Sequence, residues 1–479
     1  MKVLNRETTG KQEQLPLKVL QFGKGNFLRA FADYMIDVLN EEQGFNAGIA
    51  VVQPATRSKT DILTEQDGLY HLIHRGLQQG KTIDEKRLIT CIQESIIPYT
   101  DSNKYLSLAD TPDIKIMISN TTEAGIDYQN DDIPPQGQLA RTFPGKLTQW
   151  LKRRFDFFKG SKESGLVFLP CELIEDNGLQ LKSCILKYAD LWGYATGFTQ
   201  WINDSNYFAN SLVDGIVPGF PKDDIEGISE SLGYDDKLVV TAEPYHLWVI
   251  EGPEEVKNIF PAHRAGFNVI HVDDLSPYRL RKVKILNGAH TCMTALGLLA
   301  RTGTVREFME NEHSGPFMRS LINEEIIPTI AMPADDLKIY ANEVVERFLN
   351  PFIHHELKSI SLNSIAKFKV RVLPTIKDFI STKGHAPEKL CLAFAGLIQL
   401  YMDGITADPC PLNDSEEVLT FFRSLAKEEF SSDKLVESVL GNTNFWGEDL
   451  NRIDILPKVV MELYKQLKAQ GATLMMSSS

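Results

Sequence analysis

The feature that most constrains this chain is a strand-like run that ends in glycine. Leu17-Lys-Val-Leu-Gln-Phe22 passes directly into Gly23-Lys-Gly25-Asn-Phe27, and an amphipathic stretch follows over residues 28–39. Strand, glycine turn and helix in that order open a βαβ unit. The glycines permit the tight turn and let main-chain N–H groups approach a pyrophosphate closely. The third glycine of the usual G-x-G-x-x-G spacing is replaced by Leu28. The reading therefore rests on the strand–turn–helix context more than on the glycine spacing itself.

Three more buried-type runs follow, at residues 48–53, 114–119 and 165–170, with helical stretches between them. Strands alternating with helices predict a mostly parallel sheet. Beyond about residue 280 the texture changes. Helical periodicity dominates over 282–300, 315–327, 336–349, 387–401, 415–426 and 457–470, and strand-like runs become scarce. The predicted fold is α/β: a Rossmann-like N-terminal domain over residues 1–278, then a mostly α-helical C-terminal domain over 279–479. A length of 479 residues suits two such domains.

Near the junction stands Lys282-Val-Lys-Ile-Leu-Asn287-Gly-Ala-His290. In an α-helix, steps of about 100° would set His290 about 80° and Asn287 about 140° around from Lys282. An amine, an amide and an imidazole lining one side of a cleft suit a carbonyl or alcohol. The lysine exchanges the proton, the amide holds the oxygen, and the imidazole fixes the lysine. Tyr278-Arg-Leu-Arg-Lys282 also spells YxxxK, but here it lies too far from the glycine loop to be the pair that short-chain dehydrogenases carry within one domain.

Charge and cysteines narrow the partners. The net charge is −14, and no basic stripe is available to neutralise phosphates, so a nucleic-acid partner is not expected. An anionic substrate needs locally placed Lys or Arg. The six cysteines are dispersed without a CxxC pair, which predicts reduced thiols and no zinc site. Adjacent His354 and His355 are poorly spaced to chelate one ion, and no metal is expected. No apolar run reaches the length of a membrane span and the polar start is no signal peptide, so a cytoplasmic protein without membrane contact is expected.

The end of the second strand carries Gln53, with Arg57 shortly after, where an acidic residue would bind a ribose. Glutamine still hydrogen-bonds a ribose and Arg57 would meet a 2′-phosphate, so these residues leave NAD against NADP open.

Together the motifs resemble the polyol-specific long-chain dehydrogenases, a family that includes mannitol dehydrogenases and hexuronate reductases. Its Gly-x-Gly-x-Phe-x-Arg-Ala loop is matched by Gly23-Lys-Gly-Asn-Phe-Leu-Arg-Ala30, and its Thr-Glu-x-Gly turn by Thr122-Glu-Ala-Gly125. Its KxxxxNxxH is matched by Lys282, Asn287 and His290, and its substrate-side lysine by Lys367. The matches run from residue 18 to about 375.

The resemblance implies an NAD-dependent, metal-independent reduction of a sugar-acid ketone, reversible, with Lys282, Asn287 and His290 as catalytic residues. It implies cofactor-binding residues Phe22, Gly23, Gly25, Asn26 and Phe27 at the loop, Gln53 after the second strand, and Asn120, Thr122 and Glu123 after the third. Lys367 is then the cation for the substrate carboxylate, with Arg371 four residues on and on the same helical face. A small-molecule partner and a monomer or small homo-oligomer are expected.

The chain departs from the pattern in three places: Leu173 in Cys171-Glu-Leu173 where mannitol-type members have an asparagine, Gly215 for the arginine of the family's Ser-x-Val-Asp-Arg-Ile signature, and Ser359-Ile360 where the family often has Arg-Ile. The first and last fall on the substrate side and fit a differently shaped, carboxylated substrate.

Overall fold

The structure, a computed structural model, describes residues 1–53, 61–122, 124–406, 413–428 and 430–478. Two compact units emerge. One comprises residues 1–75 and 82–275, the other residues 76–81 and 276–479.

The first unit is built on six parallel strands: β1 (Leu17–Phe22), β2 (Gly48–Val52), β3 (Ile92–Ile96), β4 (Ile116–Ser119), β5 (Val167–Pro170) and β6 (Tyr207–Phe208). Their order across the sheet is β3-β2-β1-β4-β5-β6, the strand order of a Rossmann fold. Both faces are covered, because alternate residues enter different cores. Val19, Val51 and Ile118 join one cluster, and Leu20, Val52 and Met117 the other. Phe22 is in register with Val52 on one side and Ser119 on the other. The chain order reverses between β1 and β4, so the crevice for a ligand lies at the carboxyl ends of these strands.

The helix expected over 28–39 is broken. It forms as α1 (Asn26–Ala30) and α2 (Ala32–Gln43), with Phe31 at φ −119°, ψ −78° between them. The Arg29 carbonyl at the break takes the Tyr70 hydroxyl at 2.7 Å. Phe31 turns its ring onto Phe27 and Trp248, with centroids at 4.8 and 5.4 Å. Side-chain packing thus outcompetes one turn of helix.

The chain also forms the hairpin Tyr70–Gln78/Lys81–Ile89. Gln79 and Gly80 both adopt positive φ at its tip, the backbone that a two-residue turn requires. The tip belongs to the second unit, where its Gln79 and Gly80 N–H groups donate to the Glu346 carboxylate at 3.0 and 2.8 Å.

Beyond that tip, the described residues of the second unit form helices and turns, with one isolated bridge between Thr304 and Glu356. The central element is α3 (Gly288–Leu299), preceded by a π turn over Lys282–Asn287. Around it are α4 (Ala334–Phe348), α5 (Ser364–Arg371) and α6 (Glu388–Thr406). A second π turn, Leu321–Ile326, carries the buried Glu325. The Glu325 carboxylate accepts the Lys389 and Leu390 N–H groups at 2.9 and 2.8 Å, and so caps the start of α6.

Candidate functional site

In the first unit, the residues expected to hold a cofactor gather at the carboxyl ends of β1, β2 and β4. Gly23 sits at φ +115° and its N–H donates to the Val52 carbonyl at 3.0 Å. A Cβ there would stand 2.7 Å from the Asn120 carbonyl oxygen, so only glycine lets the β1 loop pass the turn after β4. Gly25, which begins α1, has no such restraint: a Cβ would meet nothing within 4 Å. The loop therefore presents its main chain to open space, and that space fits a phosphate group.

The side chains divide. Phe22 is fully buried, its ring against Phe143 and Tyr105, and it faces the crevice by main chain alone. Phe27 is half-buried and stacked on Phe31. Asn26 is exposed but its Oδ1 accepts from Arg29 Nη2 at 2.6 Å. Gln53 is buried and donates to Ser95 Oγ at 2.9 Å. Asn120 donates to the Cys171 carbonyl at 2.8 Å, and Thr122 is exposed. Glu123 and Arg57 lie outside the described residues.

Glu172, to which sequence reasoning gave no role, organises this turn. Its carboxylate accepts Ser119 Oγ at 2.9 Å on one oxygen, and Thr121 N and Oγ1 at 3.0 and 3.1 Å on the other. Burial pushes its pKa above the usual carboxylate range, while these donors pull the other way.

In the second unit, the π turn changes the geometry assumed for Lys282–His290. The Gly288 N–H reaches the Val283 carbonyl five residues back. In an α-helix, i and i+5 stand about 140° apart. In a π turn they are the hydrogen-bonded pair, so they take the near-aligned place that i and i+4 hold in an α-helix. Lys282 and Asn287 are thereby drawn to one side, and His290 follows Asn287 at i+3 on the same face. Lys282, Asn287 and His290 are half-buried, as is Val283, whereas Lys284, Ile285, Leu286, Gly288 and Ala289 are buried.

Neighbouring elements fix this face. The Arg281 guanidinium lies over the Tyr340 ring of α4 at 4.2 Å. The His290 ring packs on Phe348 of α4 at 4.4 Å and, edge-on, on His355 at 5.1 Å. The two adjacent histidines therefore part company. His354 is exposed, 3.6 Å from Glu356, while His355 is half-buried, and burial lowers its pKa below the usual histidine value. The His355 carbonyl takes the Val305 N–H at 3.0 Å, which holds the segment in place. Sequence reading gives His354 and His355 as surface or substrate-edge residues; the contact of His355 with His290 is tertiary and has no signature in the spacing.

Lys367 and Arg371 come close to the same helix. A Cβ on Gly288 would lie 3.3 Å from the Arg371 carbonyl oxygen, so α3 and the end of α5 are in near-backbone contact. Lys367 Nζ donates to the Ile360 carbonyl at 2.8 Å. Burial, and then the Arg371 charge, lowers the Lys367 pKa, with Asp414 opposing. Burial also lowers that of Arg371. Lys367 and Arg371 are thus two half-buried cations one helical turn apart, a charge pattern chemically suited to a carboxylate.

Comparison with known proteins decides the family. Residues 17–261 match the mannitol dehydrogenase Rossmann domain and residues 274–468 the mannitol dehydrogenase C-terminal domain. The chain belongs to the mannitol dehydrogenase family. As a family member it is an oxidoreductase acting on CH–OH groups.

Among members of this family, it is 46% identical over 454 residues to an altronate oxidoreductase of Bacillus subtilis (strain 168), covering 95% of this chain and 93% of that one. It is 41% identical over 477 residues to an altronate oxidoreductase of Phocaeicola vulgatus, covering 98% of each. The fold is shared with Pseudomonas fluorescens mannitol 2-dehydrogenase, solved as a ternary complex with NAD and D-mannitol (TM-score 0.68, 22% identity, 100% of this chain and 99% of that one). It is shared also with substrate-free D-sorbitol dehydrogenase (TM-score 0.80, 22% identity, 98% and 99%). No helix among the described residues is long and apolar enough to cross a membrane.

Proposed function

We propose that this mannitol dehydrogenase family member reduces the ketone of D-tagaturonate to D-altronate with NADH, reversibly and without a metal. The observation that carries the substrate is the near-full-length similarity to proteins named altronate oxidoreductase. The Lys367–Arg371 pair beside α3 supports it independently, since a uronate brings a carboxylate that a simple polyol lacks.

A reduced nicotinamide dinucleotide, its pyrophosphate held by the Gly23–Gly25 loop, would supply the hydride. The chain's own residues do the rest. Lys282 gives its proton to the oxygen as the ketone becomes an alkoxide, and takes it back in the oxidative direction. Asn287, half-buried on the same face, donates to that oxygen as charge builds. Such a donor is worth about 3 kcal/mol in comparable sites. His290, held between Phe348 and His355, orients Lys282 or a substrate hydroxyl. Lys367 and Arg371 hold the carboxylate and so fix which carbonyl carbon is presented.

The test follows oxidation of NADH and of NADPH with D-tagaturonate, D-fructuronate and D-fructose. NADH with tagaturonate is expected to give the highest kcat/KM. Faster fructuronate turnover would move the assignment to the sister uronate reductase. Faster fructose turnover would move it to a polyol dehydrogenase.

A further inference from the structure

Arg29 is only 5% exposed, and its guanidinium is spent on three acceptors in three directions. Nε donates to the Lys24 carbonyl at 3.2 Å and Nη2 to Asn26 Oδ1 at 2.6 Å, both on the glycine loop. Nη1 donates to the Leu238 carbonyl, more than two hundred residues away in the chain. The Tyr70 ring lies beneath the guanidinium at 5.0 Å, and its hydroxyl donates to the Arg29 carbonyl and to Asp33 Oδ2.

The far anchor is itself braced. Buried Asp236 accepts the Leu238 N–H at 2.8 Å, the His71 N–H at 2.7 Å and Gln66 Nε2 at 2.9 Å. Opposite Arg29, Gly219 closes on Asn26: at φ +94°, a Cβ there would stand 2.3 Å from Asn26 Nδ2. Its N–H and carbonyl are tied to Thr241. Asn26 is thus wedged between a guanidinium and a main chain that admits no side chain.

We propose that Arg29 is a positioning residue for the dinucleotide, which rivets the Lys24–Asn26 loop to the Asp236–Leu238 segment so that the loop has its binding shape before the cofactor arrives. This rests on the reading that the loop takes a dinucleotide. α1 has only five residues, so the loop cannot rely on a long helix to hold it, and a loop ordered only on binding costs affinity. Lysine keeps the charge at position 29 but is a point donor that cannot fork toward three fixed acceptors.

The experiment is NADH titration by fluorescence, with steady-state kinetics at saturating ketouronate, on the full chain, Arg29→Lys and Gly219→Ala. The second variant keeps the guanidinium but displaces Asn26, one of its three acceptors, and it decides the matter if Arg29→Lys fails to fold. Expected are a weakening of NADH binding on the order of ten- to hundredfold, the worth of one or two charge-assisted hydrogen bonds, and a kcat at saturating NADH within about threefold, as expected when only ground-state binding is lost. Binding by the unaltered chain that neither variant weakens would overturn the proposal alone. So would a fall in kcat as large as the loss of affinity. No NADH binding by the unaltered chain would overturn the dinucleotide reading, and the proposal with it.

Discussion

Lys284 and Asp378 form an ion pair with 2.7 Å between Nζ and Oδ2, and the lysine side chain is 2% exposed. Thr329 takes the same ammonium through its carbonyl at 3.1 Å and its hydroxyl at 3.0 Å. Of the two lysines on the π turn, Lys284 is therefore engaged inside the fold, and Lys282 is the one on the half-buried polar face.

The pair is asymmetric, because Asp378 is 54% exposed. Removing the aspartate strands a buried cation, whereas removing the lysine leaves a carboxylate that water can solvate. Asp378→Ala is expected to cost more stability than Lys284→Met, by about 1–2 kcal/mol in urea unfolding, with kcat retained in the folded fraction of each. Equal costs, or a Lys284→Met protein that is folded and inactive, would contradict the division of roles.

Lys367→Met should raise KM for a ketouronate by about ten- to hundredfold, as expected when a charge-assisted contact to the carboxylate is lost. Slow turnover of fructose, which has no carboxylate, should be unchanged. An equal loss on both substrates would place Lys367 in the scaffold, as its bond to the Ile360 carbonyl also permits.

His355 meets His290 edge-on, and burial favours its neutral form. His355→Ala is expected to lower kcat/KM about tenfold, within the range of a general acid–base contribution partly lost, without weakening NADH binding. His355→Phe, which keeps a ring against His290, should recover most of that loss. A Phe variant as poor as Ala would mean that the imidazole itself takes part.

The Asp33 carboxyl is fully buried. Burial pushes its pKa from 3.8 up to about 7, against the Tyr70 hydrogen bond and the Arg29 charge. Between about pH 4 and 7 the folded protein keeps a proton that the unfolded chain has lost, so this group's contribution is whole below that window and lost as pH rises through it. Relative to the unaltered chain, Asp33→Asn should gain stability from pH 4 to 7 and then level off. Urea midpoints at each pH measure this, and a constant difference would contradict it.

Much of this was legible in the sequence where local pattern and tertiary outcome coincide. Strand β1 lies where its apolar run stands, Gly23 takes the positive φ that its place after the strand demands, and the helical stretches of the second unit fall within a few residues of their periodic patterns. What was not legible depends on partners distant in sequence. The break at Phe31 needs Tyr70 and Trp248. The anchoring of Arg29 needs Leu238, and the meeting of His290 with His355 needs the bridge to residues 303–305. The π turn is the instructive case: Lys-Val-Lys-Ile-Leu-Asn has ordinary helical periodicity, and the extra residue per turn shows only when Lys284 is seen engaged with Thr329 and Asp378 while Lys282 stays on the polar face.

The most direct measurement is turnover by Lys282→Ala at neutral pH beside its NADH affinity. Loss of turnover by at least about a thousandfold, with NADH bound nearly as tightly as by the unaltered chain, is the expected result for a residue that acts only on the reacting proton. Substantial residual turnover would show that the proton comes from another group and that the polar face of the π turn is not the site of chemistry.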